Sequence, residues 1–220
     1  RGRYVGDARR AGARSLPHGA CMDHHGRVAS AQGHGPYTPA AAAAVLAKKA
    51  CRGELAPGAR ACGSRANGLG RVDFASAIEL QERWVYEISG RRDRQGALFL
   101  CEHPPVVTIG RNGSRSQLLT DEQDLRSRLM DVHWLNRSGG ALVHSPGQLA
   151  AYPIVPLDRL GLGLADYRAA LERAVIGVCS ELKVAATGGR EDPGVFCRTG
   201  QLAWIASAVR NWVTHQGLFL

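Results

Sequence analysis

From Asp73 onward the sequence sets out an amphipathic helix followed by short apolar runs cut by glycine and proline, and this order constrains the fold more than any other feature. Phe74, Ala77, Ile78, Gln81, Val85 and Ile88 fall on one face at helical spacing, and Gly90 stands where the helix would end. Residues 97–101 (ALFLC) read as a buried strand, and residues 106–109 (VVTI) as a second one after Pro104 and Pro105. Residues 133–136 and 149–154 supply a third and a fourth. The helical period returns over residues 166–182, where Tyr167, Leu171, Ala174, Val178 and Leu182 share a face. Short strands at 195–196, 202–208 and 212–215 follow. Helices and strands mix without strict strand–helix–strand alternation, which predicts a mixed α/β sheet of α+β character rather than a doubly wound fold.

The first 72 residues differ in texture. They are rich in Gly, Ala and Arg and lack the branched and aromatic residues that build a core, so they are expected to form a disordered basic extension. Residues 38–49 can form a transient helix, with Thr38 as N-cap and Pro39 at the first helical position, but nothing obliges it to pack. Residue 1 is Arg and no charged-then-apolar leader pattern follows, so no secretory leader is expected. These 72 residues hold 12 Lys and Arg against Asp7, Asp23 and Glu54, or 12 − 3 = +9, the whole formal charge of the chain. The remainder is neutral, which argues against a nucleic-acid-binding body and leaves the basic tail as the place for any such contact. No stretch approaches the roughly 18 consecutive apolar residues of a membrane-spanning helix.

The six cysteines (Cys21, Cys51, Cys62, Cys101, Cys179 and Cys197) are irregularly spaced without a CxxC pair, which fits a reduced, cytoplasmic protein. Cys21, His24 and His25 are close enough to suggest metal ligands, but no second half of a zinc site follows, and no metal or other cofactor is expected. The densest chemical signal is residues 136–149, NRSGGALVHSPGQL. Its small residues let backbone approach a ligand, with Arg137 and Gln148 placed to orient a polar or acyl head group; the alternative is a plain glycine-rich hairpin. His144 and His103 are each either a general base or a satisfied structural histidine.

The segments HPPVVTIGRNG (103–113), RSGGALVHSPGQL (137–149), YPI (152–154), PGVF (193–196) and QLAWIASAVRNWVTHQG (201–217), in that order, resemble the octanoyltransferase family, also called lipoate-protein ligase B. The resemblance covers the chain from Asp73 to its end. It implies a domain of the biotin and lipoate protein ligase type over residues 73–220, missing its C-terminal part. It also implies transfer of an octanoyl group from acyl carrier protein to a lysine of lipoyl domains, in 2-oxoacid dehydrogenases or the glycine cleavage H protein. By the same resemblance Arg137, Ser138, Gly139, Gly140, Ala141, Leu142, Val143 and His144, with Trp204, Ile205, Ala206, Gly217, Leu218 and Phe219, line the acyl pocket of a monomeric enzyme.

The match fails at the nucleophile. Family members use a cysteine in a Pro-Cys-Gly context that falls beyond the position of Leu220, and a lysine where this chain has Gln201. The catalytic residue is therefore not assigned within the chain, and Cys197 is the internal substitute to consider. Ser138, Ser145 and Ala206 stand where glycine is usual, and their side chains would narrow the pocket. A non-catalytic paralogue that binds acyl groups or lipoyl domains, or an inactive fragment, is the alternative function.

Overall fold

The structure, a computed structural model, describes residues 20–22, 28–30, 38–54, 66–189 and 193–220. In chain order the elements are β1 (Ala20–Met22), β2 (Val28–Ser30), α1 (Pro39–Cys51), β3 (Ala66–Arg71), α2 (Phe74–Gly90), β4 (Ala97–Glu102), β5 (Val106–Ile109), a 3-10 turn (Arg115–Gln117), α3 (Glu122–Ser127), β6 (Asp131–Trp134), β7 (Ala141–His144), β8 (Ala150–Ile154), α4 (Leu157–Leu160), α5 (Leu164–Glu181), β9 (Thr187–Gly188), β10 (Gly194–Cys197), β11 (Gly200–Arg210) and β12 (Val213–Phe219). β1 and β2 pair with each other. The other strands form a seven-stranded sheet in the order β3-β4-β8-β12-β11-β10-β9 and a three-stranded sheet in the order β6-β5-β7. Among the described strands, only the β3–β4 and β5–β6 pairs are parallel. This is the mixed α+β architecture that the pattern of elements predicts.

Side chains alternate across the large sheet and divide its core in two. Leu98, Leu100, Ala151, Ala203, Ile205 and Leu218 face α5 and α1, whose buried positions include Leu171, Val175 and Val178 on α5 and Ala42, Val45 and Leu46 on α1. Phe99, Cys101, Ala150, Tyr152, Ala206 and Phe219 face α2, from which Ala77, Val85 and Ile88 pack down. α2 forms because its apolar residues recur at three and four, and because Asp73 accepts a hydrogen bond from Ser76 N (3.0 Å) at its start. Gln81 lies on that buried face. Its Oε1 accepts the backbone N–H of Gln216 (2.7 Å), at a position in β12 where φ is +56° and the strand departs from regular pairing geometry.

The described parts of residues 1–72 differ from the expected disordered extension, beginning with the β1–β2 pair. β3 pairs with β4, and the alanine-rich segment is a helix that packs rather than a transient one. Thr38 caps it, accepting from Ala41 N, and Pro39 opens it, as its sequence predicts. What obliges it to pack is the smallness of both surfaces. Ala42, Ala50 and their neighbours approach α5 closely, and at Gly177 of α5 a Cβ would stand 2.6 Å from Lys49 Nζ. That ammonium pairs with Glu54 at 2.7 Å and Glu181 at 3.8 Å. His24 and His25 of the proposed metal cluster lie outside the described residues.

Candidate active site

The functional geometry begins with the small sheet. One face of it carries Val107, Ile109, Ala141 and Val143 against Leu125 of α3. By alternation the other face carries Thr108, His133, Leu142 and His144, and β5 sets them in register: Thr108 lies opposite both His133 and Leu142, and Val106 opposite His144. That face meets the start of α2 and the end of β12. The Phe74 ring stands 5.1 Å from His103, 5.4 Å from His133 and 5.5 Å from His144, and the Phe219 ring 4.6 Å from His144.

The two segments expected to line a pocket from the C-terminal region are cross-strand partners. Trp204 lies opposite Phe219, Ile205 opposite Leu218 and Ala206 opposite Gly217. Trp204, Ala206 and Phe219 join Leu142 on the α2 side, where they form one apolar wall with the β7 residues. Ile205 and Leu218 turn to the α5 side, so their side chains leave that wall, as do Ala141 and Val143 on the small sheet. The pleat divides a set of residues that sequence alone groups together.

Two glycine-bearing loops close one end of this wall and are laced backbone to backbone. Gly110 N donates to Gly140 O (3.1 Å), Arg111 N to Arg137 O (2.9 Å) and Asn112 N to Gly139 O (3.2 Å). Ser138 N donates to Ser207 O of β11 (3.1 Å), which ties the loops to the large sheet. Arg137 is fully buried between them, its Nη1 donating to Ser138 O (2.9 Å) and its Nη2 to Thr108 O (2.9 Å) and Thr108 Oγ1 (2.7 Å). Burial lowers its pKa to about 10, so it stays a cation at neutral pH. Arg137 thus braces the loop from within rather than reaching outward to a ligand. At the other end of β7, Glu102 accepts Gly147 N (2.8 Å) and holds the Ser145–Pro146–Gly147–Gln148 turn.

Both candidate histidines are satisfied. His103 Nδ1 donates to Val72 O (2.8 Å) and its Nε2 accepts the Tyr152 hydroxyl (2.6 Å). His144 bonds Thr108 Oγ1 through Nε2 and Gln148 Oε1 through Nδ1, each at 2.9 Å. Burial, with the nearby His103 and Arg137, pushes His144 down to about 3, and burial lowers His103 as well. Neither ring is a free general base. A pH dependence of stability follows. Between the ordinary histidine pKa and about 3 the unfolded chain binds a proton at position 144 that the folded chain does not, so stability is lost as pH falls through that range. The slope is about 1.4 kcal/mol per pH unit for one such group. Urea midpoints measured from neutral pH downward should fall accordingly, and His144→Gln should flatten the dependence.

The thiols are distributed unevenly about the wall. Cys101 shares its side of the sheet but is buried, and desolvation pushes it up to about 12, which keeps it protonated. Cys179 is a buried core residue on α5. At Cys197 burial raises the pKa, but hydrogen bonding by Thr199 and Gly200 outweighs it and holds the thiol below its ordinary value. Cys197 lines a groove of about 630 Å³ on the α5 side, with Ile176, Ser180, Ala186 and Phe196, away from the wall. Gln201 contributes no charge, its amide donating to Ala203 O (3.2 Å). The three lysines of the chain, Lys48, Lys49 and Lys183, lie on α1 and just after α5. Sequence reasoning gave no role to Thr108, Phe74 or Tyr152, although Thr108 and Tyr152 lie inside the motif segments.

This arrangement coincides with a known catalytic domain: residues 73–220 match the family model of the lipoyl protein ligase A/B catalytic domain. The chain belongs to that family. Among curated proteins it is 37% identical over 152 residues to an octanoyltransferase of Geotalea uraniireducens and 38% identical over 152 residues to one of Geobacter metallireducens. Each match covers 69% of this chain, and 67% and 68% of those proteins respectively, so the chain spans about two thirds of their length. Its fold matches a crystal structure of lipoate-protein ligase A bound with ATP, with a TM-score of 0.56 and 15% identity over 68% of this chain and 63% of that one. It also matches a lipoate protein ligase from Thermoplasma acidophilum with bound lipoic acid, with a TM-score of 0.55 over 68% and 66%. The catalytic-domain family and its octanoyltransferase relatives make the chain an acyltransferase. Among the described residues no helix is long and apolar enough to cross a membrane.

Proposed function

We propose that the chain transfers an octanoyl group in lipoate biosynthesis, from acyl carrier protein to a lysine of a lipoyl domain, through a cysteine thioester. The observation that carries this reading is the wall itself, Leu142, His144, Trp204, Ala206 and Phe219, whose components come from three strands of the region that aligns with octanoyltransferases. An octanoyl chain is apolar and unbranched, and it needs apolar walls with a few fixed polar groups at one end. Gly139 and Gly140 belong to the laced loops and have amides that make no hydrogen bond among the described residues, which supports a role for them as donors to a ligand oxygen. The nucleophile in this reading is a cysteine of the segment that the family carries beyond the position of Leu220, because the described thiols are either buried and protonated or on the other side of the sheet.

Gln201, where the family has lysine, and the absence of an ionised thiol at the wall among the described residues favour a second reading, a binding protein that holds the acyl group or the lipoyl domain without transferring it. Intact-mass spectrometry after incubation with octanoyl acyl carrier protein, then with an apo lipoyl domain, separates the two. Octanoylation of the acceptor, with a hydroxylamine-labile adduct on the enzyme, is the expected result for a protein that includes the family cysteine. Binding of the donor with no acylation of either protein would establish the second reading.

A further inference from the structure

We propose that Thr108 is a positioning residue of the acyl site: its hydroxyl, held by the Arg137 guanidinium, donates its single proton to His144 Nε2 and, together with Gln148 Oε1 accepting from Nδ1, fixes His144 as the neutral Nδ1–H tautomer. The role in acyl transfer rests on the function proposed above; the proton arrangement does not.

The inference follows from counting donors. A guanidinium has only protons to give, so in the 2.7 Å contact with Arg137 Nη2 the Thr108 oxygen accepts. The Thr108 oxygen keeps its own proton and one further lone pair, so the direction of its 2.9 Å contact with His144 Nε2 is set from the other side of the ring. There Nδ1 faces Gln148 Oε1 at 2.9 Å, an atom that can only accept, so Nδ1 carries the ring proton, Nε2 of the neutral ring is bare, and Thr108 donates to it. Every contact in the series Arg137, Thr108, His144, Gln148 is satisfied by this assignment, and the other neutral tautomer would set His144 Nδ1 and Gln148 Oε1 lone pair against lone pair. The groups around His144 agree with a neutral ring. His103 lies 6.0 Å away with its own ring held by Val72 O and Tyr152, His133 approaches through Phe74, and Arg137 is a cation; Asp73 acts on His103. Burial favours the neutral form too.

The consequence is mechanical. The series starts in the loop laced by Gly110 and Gly140 and ends at the Ser145–Pro146–Gly147–Gln148 turn, so one hydroxyl links both ends of β7. It sets the plane of the His144 ring, which stacks on Phe74 at 21° and packs against Phe219. That ring is part of the wall proposed to hold the acyl chain. A structural histidine with a disordered proton would leave the plane of the ring and the position of Gln148 free to vary.

The test uses the full chain with ¹⁵N-labelled histidine and reads the ring nitrogens in a two-bond ¹⁵N–¹H spectrum. In the wild type, His144 should show one tautomer, protonated at Nδ1 and bare at Nε2, unchanged between about pH 5 and 8. Thr108→Ser keeps the hydroxyl and should keep that signature. Thr108→Val keeps the shape and the strand propensity but removes the proton; it should lose the single tautomer and, in a protein that includes the family cysteine, raise KM for octanoyl acyl carrier protein by about tenfold with a smaller change in kcat. A wild-type His144 protonated at Nε2, or titrating in the ordinary histidine range, would overturn the proposal, as would a folded Thr108→Val that retains the signature. Should Thr108→Val fail to fold, the wild-type and Thr108→Ser spectra decide the matter. The spectra need no substrate, so absence of octanoyl transfer by a protein that includes the family cysteine would count against the proposed function and leave the relay standing.

Discussion

Gly110→Ala is expected to destabilise the protein by about 3 kcal/mol and to abolish acyl transfer. At this buried position a Cβ would collide with Gly139 O and would stand 2.8 Å from Arg137 Nη1 and 2.9 Å from Arg137 O. Two of these three atoms are backbone oxygens, so no side-chain rotation relieves the contact. The loops must separate, which breaks the Gly110–Gly140 and Asn112–Gly139 hydrogen bonds and loosens the cage around a buried cation. Urea unfolding gives the stability, and transfer to a lipoyl domain by a protein that includes the family cysteine gives the activity. A variant within about 0.5 kcal/mol of wild type would show that the two loops are not laced in this way.

Phe219→Ala is expected to be the most damaging single truncation at the wall, at about 3–5 kcal/mol. The side chain is fully buried and packs against His144 and Tyr152, with ring centroids at 4.6 and 5.9 Å. It also pairs across β11 with Trp204 and across β8 with Ala150, so a cavity there is bounded by three strands that cannot collapse into it together. Phe219→Leu should cost less, about 1–1.5 kcal/mol, because it keeps most of the volume. Both variants should raise KM for the acyl donor, and the alanine variant should do so more. Equal stability of Phe219→Ala and wild type would remove Phe219 from the core and from the wall.

Much of the fold was legible because its periodicity is strong. α2 begins and ends where its pattern and Asp73 place it, and α5 buries Tyr167, Leu171, Ala174 and Val178 as the helical spacing predicts. Elements whose packing depends on a distant partner were not legible. α1 carries little apolar bulk, and its burial comes from a close approach to α5 that no local pattern reports. β6 lies two residues before its expected start, since parallel pairing with β5 sets it. β7 hides within a glycine-rich stretch, and its four residues alternate between two different cores. β11 and β12 form one long hairpin instead of two short strands. Its turn puts Asn211 and Trp212 at φ of +52° and +61°, and tryptophan is not a residue that announces such a turn.

The site divides along the same line. The glycines, Arg137 and His144 stand out as residue types within a motif, and the structure brings them together. Their roles were open because the deciding contacts span the chain: Arg137 and His144 meet Thr108 from 29 and 36 residues away. Ile205 and Leu218 show the converse. They sit in the motif segments, but alternation sends their side chains to the α5 core.

The acyl site proposed above lies on the α2 side of the large sheet, against β7 and the Trp204–Phe219 and Ala206–Gly217 pairs. Methyl-labelled NMR during titration with octanoyl-pantetheine tests it most directly, since binding needs no nucleophile. The methyl groups of Leu142 and Ala206 should shift together with saturable binding, while those of Ile205, Leu218 and Ile176 stay in place. Shifts confined to Ile205, Leu218 and Ile176, with Leu142 and Ala206 unmoved, would place the ligand on the α5 side and contradict the account.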